Sequence, residues 1–435
     1  MPRSAWARSR AMVGLAANVA RKELGFRLHH AAVGAPSGGA LATRLEQAKL
    51  LAESLGRLKG ALMKAGQLLS IDAGDLLPPE VAEVLAKLQS DAEPVDFASL
   101  RAVLVEELGE SGLERLGGLG EVPAASASIG QVYRASVDGT PVAVKVQYPG
   151  VAESIDSDLA ILEKVGRTFV TVSGRKMDLS GLVDELSQVL HHEADYVRER
   201  VFLDRFAAAL QGEDRFVVPR SLAELSTARV LTMSWEEGTP LASWVARGPR
   251  LADREALGRA MLDLFCLELF AWGMVQTDPN YGNFLVRERA GETPRVVLLD
   301  FGATMEFDAD FRRTYRSMLR SIASGDAPRI VDEGIAFGLI DRREGPEARE
   351  LFVEMLRNAF EPFEPARQPF VFRDEEHAAR SRDIGQRFTS ALVYSPPPRQ
   401  LVFLHRKLGG LFQLLRRLDL ALDLRPYWSR LVDDA

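Results

Sequence analysis

The chain has one cysteine among 435 residues, Cys266, which leaves no partner for an internal disulfide and no thiolate set for a metal. Cys266 lies in the apolar run from Leu262 to Val275, so a buried, unreactive thiol is expected. Spanning a bilayer takes an uncharged apolar stretch of about 18 residues or more, and none occurs. Ala11 to Ala20 is too short, and Leu28 to Thr43 is broken by Pro36, Ser37, Gly38 and Gly39. A basic excess is also missing: 54 Lys and Arg stand against 61 Asp and Glu, a net charge of -7. That balance argues against a nucleic-acid partner. Basic residues do gather at the start, where Arg3, Arg8, Arg10, Arg21, Lys22 and Arg27 face only Glu23. Such a segment fits an amphipathic helix on an anionic membrane, an organellar transit segment or a solvated terminus.

What is present is core-forming material. Hydrophobic residues make up 46% of a chain long enough for two or three subdomains. After a linker at Ala35 to Ala40, Leu41, Leu45, Ala48, Leu51, Leu55, Leu58, Leu62 and Leu69 follow helical spacing. Pro78-Pro79 breaks that pattern, a further helix runs to Leu88, and another spans Phe97 to Leu108, ending near Gly109. Gln131 to Val137 and Pro141 to Val146 alternate apolar and polar residues around Asp138-Gly139, which predicts a β-hairpin. Helices are expected over Val151 to Val170 and Leu179 to Leu210, then a strand at Arg229 to Met233. Glu237 to Pro240 reads as the connection into a second lobe. From Arg254 the pattern is helical, interrupted by Asn283 to Val286 and Arg295 to Asp300.

Three short segments carry chemistry. Val142-Ala143-Val144-Lys145, Asp278-Pro279-Asn280-Tyr281-Gly282-Asn283 and Leu298-Leu299-Asp300-Phe301-Gly302 occur in the order of a kinase nucleotide site. Lys145 ends a strand, where its ammonium can reach the α- and β-phosphates of ATP. Asp278 would orient a nucleophile as the catalytic carboxylate, while Asn283 and Asp300 would hold Mg²⁺, a hard cation suited to oxygen ligands. The phosphate-covering pattern G-x-G-x-x-G-x-V overlays Ala125-Ser126-Ala127-Ser128-Ile129-Gly130-Gln131-Val132. Two of its three glycines are alanines, which disfavour positive φ and so predict an altered nucleotide pose or selectivity.

With Lys64-Ala65-Gly66-Gln67, Pro123 to Val132, Glu193-Ala194-Asp195 and the Asp278 and Asp300 segments, the chain resembles the UbiB/AarF atypical kinase-like family, coenzyme Q biosynthesis branch. The resemblance covers about residues 55–420. It implies an α+β, bilobal protein-kinase-like fold with a helical N-terminal extension and a mainly helical C-terminal lobe. The corresponding boundaries are 1–40 for the basic tail and linker, 41–120 for the extension with its K-x-G-Q motif, 121–240 for the N-lobe with a helical insert, and 241–435 for the C-lobe. It implies that Lys64 and Gln67 cover the active site where a protein substrate would sit, and that Glu193 and Asp195 meet that face. Glu199 is the candidate partner of Lys145. The family's usual H-x-D-x-H-P-G-N is here Gln276-Thr277-Asp278-Pro279-Asn280-Tyr281-Gly282-Asn283, so the loop's supporting hydrogen bonds must differ. No A-P-E follows D-F-G within forty residues, which removes the peptide platform of protein kinases.

The expected activity is Mg²⁺-dependent ATP binding and hydrolysis in ubiquinone or isoprenoid-lipid metabolism. Expected partners are ATP or ADP, an anionic membrane surface or isoprenoid lipid, and ubiquinone-biosynthesis proteins. The expected location is cytoplasmic, peripheral on the inner membrane. A protein or small-molecule kinase and a nucleotide-gated scaffold or lipid chaperone remain the alternatives.

Overall fold

The computed structural model describes residues 95–127, 129–160, 163, 180–393 and 399–432. The basic N-terminal segment, the stretch carrying Lys64 and Gln67, and Ser128 lie outside the described residues. In chain order the elements are α1 (Phe97–Arg115), β1 (Ala125–Ser126), β2 (Gly130–Val137), β3 (Thr140–Gln147), α2 (Ser180–Glu193), α3 (Tyr196–Ala209), β4 (Phe216–Val217), β5 (Val230–Ser234) and β6 (Thr239–Pro240). They continue as α4 (Leu241–Ala246), α5 (Leu251–Cys266), β7 (Met274–Gln276), β8 (Phe284–Arg287), β9 (Arg295–Leu298), β10 (Thr304–Glu306), α6 (Ala309–Ser324), α7 (Ala327–Ala336), α8 (Pro346–Phe360), α9 (Glu375–Ala391), α10 (Arg399–Arg417) and α11 (Arg425–Val432). Two compact units result: one ends at Val201 and takes in Arg220–Trp235, and the other holds Phe202–Pro219 and the chain from Glu236 onward.

The first unit is built on an antiparallel sheet of order β1-β2-β3-β5. Asp138 and Gly139, with φ of 50° and 76°, form the two-residue turn that pairs Val137 with Thr140. Alternation then sorts side chains to two faces. Tyr133, Ala135, Val137, Val142, Val144, Val146 and Val230 form one buried cluster with Leu100, Val103 and Leu104 of α1. Lys145, opposite Val132 on β2 and Leu231 on β5, belongs to the other face.

One helix boundary differs from expectation. The break expected near Gly109 is present: Gly109 takes the non-helical φ 70°, ψ 170°, and a second helical stretch of α1 runs on past this kink to Arg115. The single helix expected over Leu179 to Leu210 is two helices, α2 and α3. The break comes at Asp195, whose carboxylate accepts the Arg198 N–H at 2.9 Å and starts α3 as an N-cap. Helix over Val151 to Val170 is described only at 151–160 and 163, where it is present.

In the second unit β6, β8, β9 and β4 form a sheet of order β4-β9-β8-β6, in which β4 runs parallel to β9. Asn283 falls in a 3₁₀ turn, Tyr281–Asn283, just before β8. A second small pair, β7 with β10, joins Gln276 to Thr304. The helices α6 to α9 bury Met318, Ile330, Ile340, Phe352 and Phe388 in a cluster of their own. Cys266 at the end of α5 is 8% exposed, and burial pushes its thiol up to about 11.

Candidate active site

Lys145 lies two residues before the end of β3 in the first unit and is almost wholly buried. Its Nζ lies 2.7 Å from Glu199 Oε1 and 2.8 Å from Oε2 on α3, and 5.0 Å from the centre of the Tyr196 ring. Glu199 is 1% exposed, so both charges are out of water and oriented by each other. The turn between α2 and α3 is anchored by Gln147, whose Nε2 donates to Ala194 O at 2.7 Å and to Ala228 O at 3.1 Å. Glu193 is buried beside that anchor, and Asp195 caps α3.

Ala125 and Ser126 are exposed and pair with Val132 and Gln131, so the phosphate-loop segment is a tight hairpin with Ala127 N donating to Gly130 O at 3.0 Å. Gly130 has a packing reason for lacking a side chain. A Cβ there would overlap Val146 O and stand 2.9 Å from the Tyr196 hydroxyl.

In the second unit the two strand pairs bring the Asp278 and Asn283 side chains together and place Asp300 next to the residue bonded to the Asn283 main chain. Asn283 Nδ2 donates to Asp278 Oδ2 at 3.1 Å, and Leu299 N donates to Asn283 O at 3.0 Å. Asp300 is therefore one residue from the strand end tied to Asn283. Its Oδ1 accepts the Gly302 N–H at 3.0 Å, an Asx turn that orients the carboxylate. Phe301 is buried against Phe206, ring centres 4.9 Å apart, which fixes the D-F-G backbone.

Sequence reasoning missed the support for this loop. α10 supplies it: Arg406 Nε donates to Thr277 O at 3.3 Å, and a Cβ on Gly410 would overlap the Pro279 ring. Arg417 lies 4.9 Å from the Tyr281 ring centre. Lys407, 4% exposed, pairs at 3.2 Å with Glu268, 1% exposed, whose other oxygen accepts the Gln276 N–H at 3.4 Å. Burial pushes Glu268 above the ordinary carboxylate range, with Lys407 opposing it. A signal was there to read. Lys407 falls in helical register with Phe403, Leu404, Leu411 and Leu414, and Glu268 is the one carboxylate between Leu264 and Val275.

Among the described residues no three His, Cys, Asp or Glu side chains gather as a metal cluster. Asn283 uses its amide nitrogen on Asp278, which leaves its oxygen as the ligand atom, and with the Asp300 carboxylate this is a hard oxygen set. It fits Mg²⁺ completed by phosphate and water, and not a self-sufficient protein cage.

A strand lysine held by a helix glutamate, a D-x-x-x-x-N turn and an oriented D-F-G define an atypical protein-kinase-like protein. The chain belongs to the ABC1 atypical kinase-like family, the UbiB/COQ8 group, whose family model, described as "ABC1 atypical kinase-like domain", matches residues 87–333. The mitochondrial atypical kinase COQ8 of Saccharomyces cerevisiae is 32% identical over 367 residues, 83% of this chain and 71% of that protein. The mitochondrial atypical kinase COQ8B of Rattus norvegicus is 34% identical over 372 residues, 85% of this chain and 69% of that protein. Among solved structures, the Rv3197–erythromycin complex from Mycobacterium tuberculosis matches with a TM-score of 0.59 at 28% identity, covering 91% of this chain and 98% of that one. No helix of the described residues is long and apolar enough to cross a membrane.

Proposed function

We propose that this protein is a Mg²⁺-dependent ATP hydrolase of the atypical kinase type, supporting ubiquinone or related isoprenoid-lipid metabolism at a membrane surface. The observation that supports the reading is the Asn283–Asp278 side-chain bond, with Asp300 oriented separately by the Gly302 N–H one residue beyond Leu299, whose N–H bonds the Asn283 carbonyl. Asp278 accepts the proton of the attacking water as its oxygen bonds to the γ-phosphorus. The bond from that phosphorus to the β–γ bridging oxygen breaks, and ADP leaves with the electron pair. Asn283 and Asp300 would hold Mg²⁺, which supplies charge neutralisation on the phosphates. Lys145, oriented by Glu199, pairs with the α- and β-phosphates.

Water is favoured over a protein acceptor by the chain after D-F-G. β10 begins at Thr304, two residues past Gly302, and α6 begins at Ala309 behind its Asp308 cap. No segment there resembles a peptide platform. The lipid context rests on the relatives, several of which are named COQ8 and mitochondrial. A second reading, nucleotide binding without turnover, is favoured by Gln276 in place of the family's histidine. The test is an ATP-hydrolysis assay with and without Mg²⁺ and anionic liposomes, beside an ADP-dependent melting shift. Hydrolysis that liposomes stimulate supports the proposal. A melting shift without hydrolysis supports the second reading, and neither signal overturns both.

A further inference from the structure

A glutamate and a lysine buried to 1% and 4% inside an apolar layer call for an explanation. Replacing such a pair by apolar side chains of similar volume is often neutral or stabilising, so stability alone does not account for it. Its location does. One Glu268 oxygen faces Lys407 at 3.2 Å and the other takes the Gln276 N–H at 3.4 Å, two residues before Asp278. On the preceding residue of α10, Arg406 Nε donates to the Thr277 carbonyl at 3.3 Å. Thr277 is held from the other side through Oγ1 to Ala303 O at 2.7 Å, adjacent to the D-F-G turn. The Gln276 carboxamide itself is buried and meets no hydrogen-bond partner among the described residues. Support at this position therefore comes through the main chain and not through the side chain that replaces a histidine.

We propose that the Glu268–Lys407 pair, together with Arg406, is the positioning device of the Asp278 loop, fixing the main chain at Gln276 and Thr277 so that the Asp278 carboxylate is held in its working orientation. These are positioning residues and do not touch substrate. The inference rests on the ATP-hydrolysis reading of the same site. It accounts for how a loop without the family's two histidines keeps one geometry: α10, more than a hundred residues downstream, takes over the bracing.

The experiment compares the full chain with Glu268→Gln, Lys407→Met and the double variant Glu268→Leu/Lys407→Leu, reading kcat, KM for Mg-ATP, and melting temperature with and without ADP. The expected result is a kcat lowered about 10- to 100-fold in Glu268→Gln and Lys407→Met, since misplacement of a reacting group by ~1 Å has that scale of effect. KM and the ADP-dependent melting shift stay near parental values. The double variant melts at or above the parent while its kcat stays low. A structural role alone would instead let kcat recover with stability, and that recovery overturns the proposal, as does parental kcat in the folded single variants. Should Lys407→Met not fold, Glu268→Gln and the double variant decide the matter. A parent that neither hydrolyses ATP nor shifts with ADP overturns the ATP reading and this inference together; a hydrolysing parent beside a fully active double variant overturns this inference alone.

Discussion

The ammonium of Lys145 lies within 2.7 and 2.8 Å of the two carboxylate oxygens of Glu199, residues 54 positions apart that are both nearly sealed from solvent. Each is the other's compensation for lost hydration, so the two side chains respond to mutation as a unit.

Lys145→Met leaves the Glu199 charge buried and unpaired, and we expect a loss of about 3–5 kcal/mol in urea unfolding. Lys145→Met/Glu199→Leu should recover most of that stability. Neither variant should show a nucleotide-dependent melting shift, because the phosphate-pairing cation is gone. A double variant that still shifts with ADP would remove Lys145 from the nucleotide site.

The acidic residues of the second unit should separate by role. Asp300→Asn is expected to abolish the Mg²⁺-dependent part of the ADP melting shift. Asp278→Asn should keep that shift while turnover drops about 10²- to 10⁴-fold, the range for a lost general base. Equal effects of the two substitutions on binding would contradict the assignment.

Gly130→Ala tests whether this glycine serves packing or phosphate. The added Cβ meets Val146 O and the Tyr196 hydroxyl, both fixed in the first unit, so unfolding should become easier by about 1–3 kcal/mol without nucleotide present. Ala127→Gly loosens the hairpin end and should alter the ratio of ADP to ATP affinity, measured by calorimetry, with little change in stability. An unchanged ratio would argue that the hairpin does not contact phosphate.

Cys266 makes a pH prediction. Burial raises the folded-state pKa to about 11, whereas an unfolded cysteine titrates near about 8.5. The thiol's contribution is therefore complete below that lower value and is lost as pH rises through about 11. The parent should lose on the order of 3 kcal/mol more than Cys266→Ala between these limits, read from the difference in their urea unfolding free energies. Alkylation of native Cys266 at pH 8 should proceed only as fast as the protein opens.

The nucleotide motifs were legible because they are local. A strand lysine, a five-residue interval from Asp278 to Asn283 and a D-F-G each occupy a few neighbouring positions, and period-two alternation already sorted β2 and β3 into a core face and a Lys145 face. The helix break at Asp195 was less legible, since Glu193-Ala194-Asp195 contains no glycine or proline and the apolar spacing continues across it. Only the cap bond to Arg198 N reveals it.

The sequence by itself determined the element types, the hairpin turn at Asp138-Gly139 and the order of the chemical groups, because propensity, spacing and turn chemistry act over a few residues. The tertiary structure alone decided which distant side chains meet: Lys145 with Glu199, Glu268 with Lys407, Arg406 with Thr277. Those pairings depend on burial. A charge leaves water only where folding brings its partner within about 3 Å, and linear order carries no record of that distance.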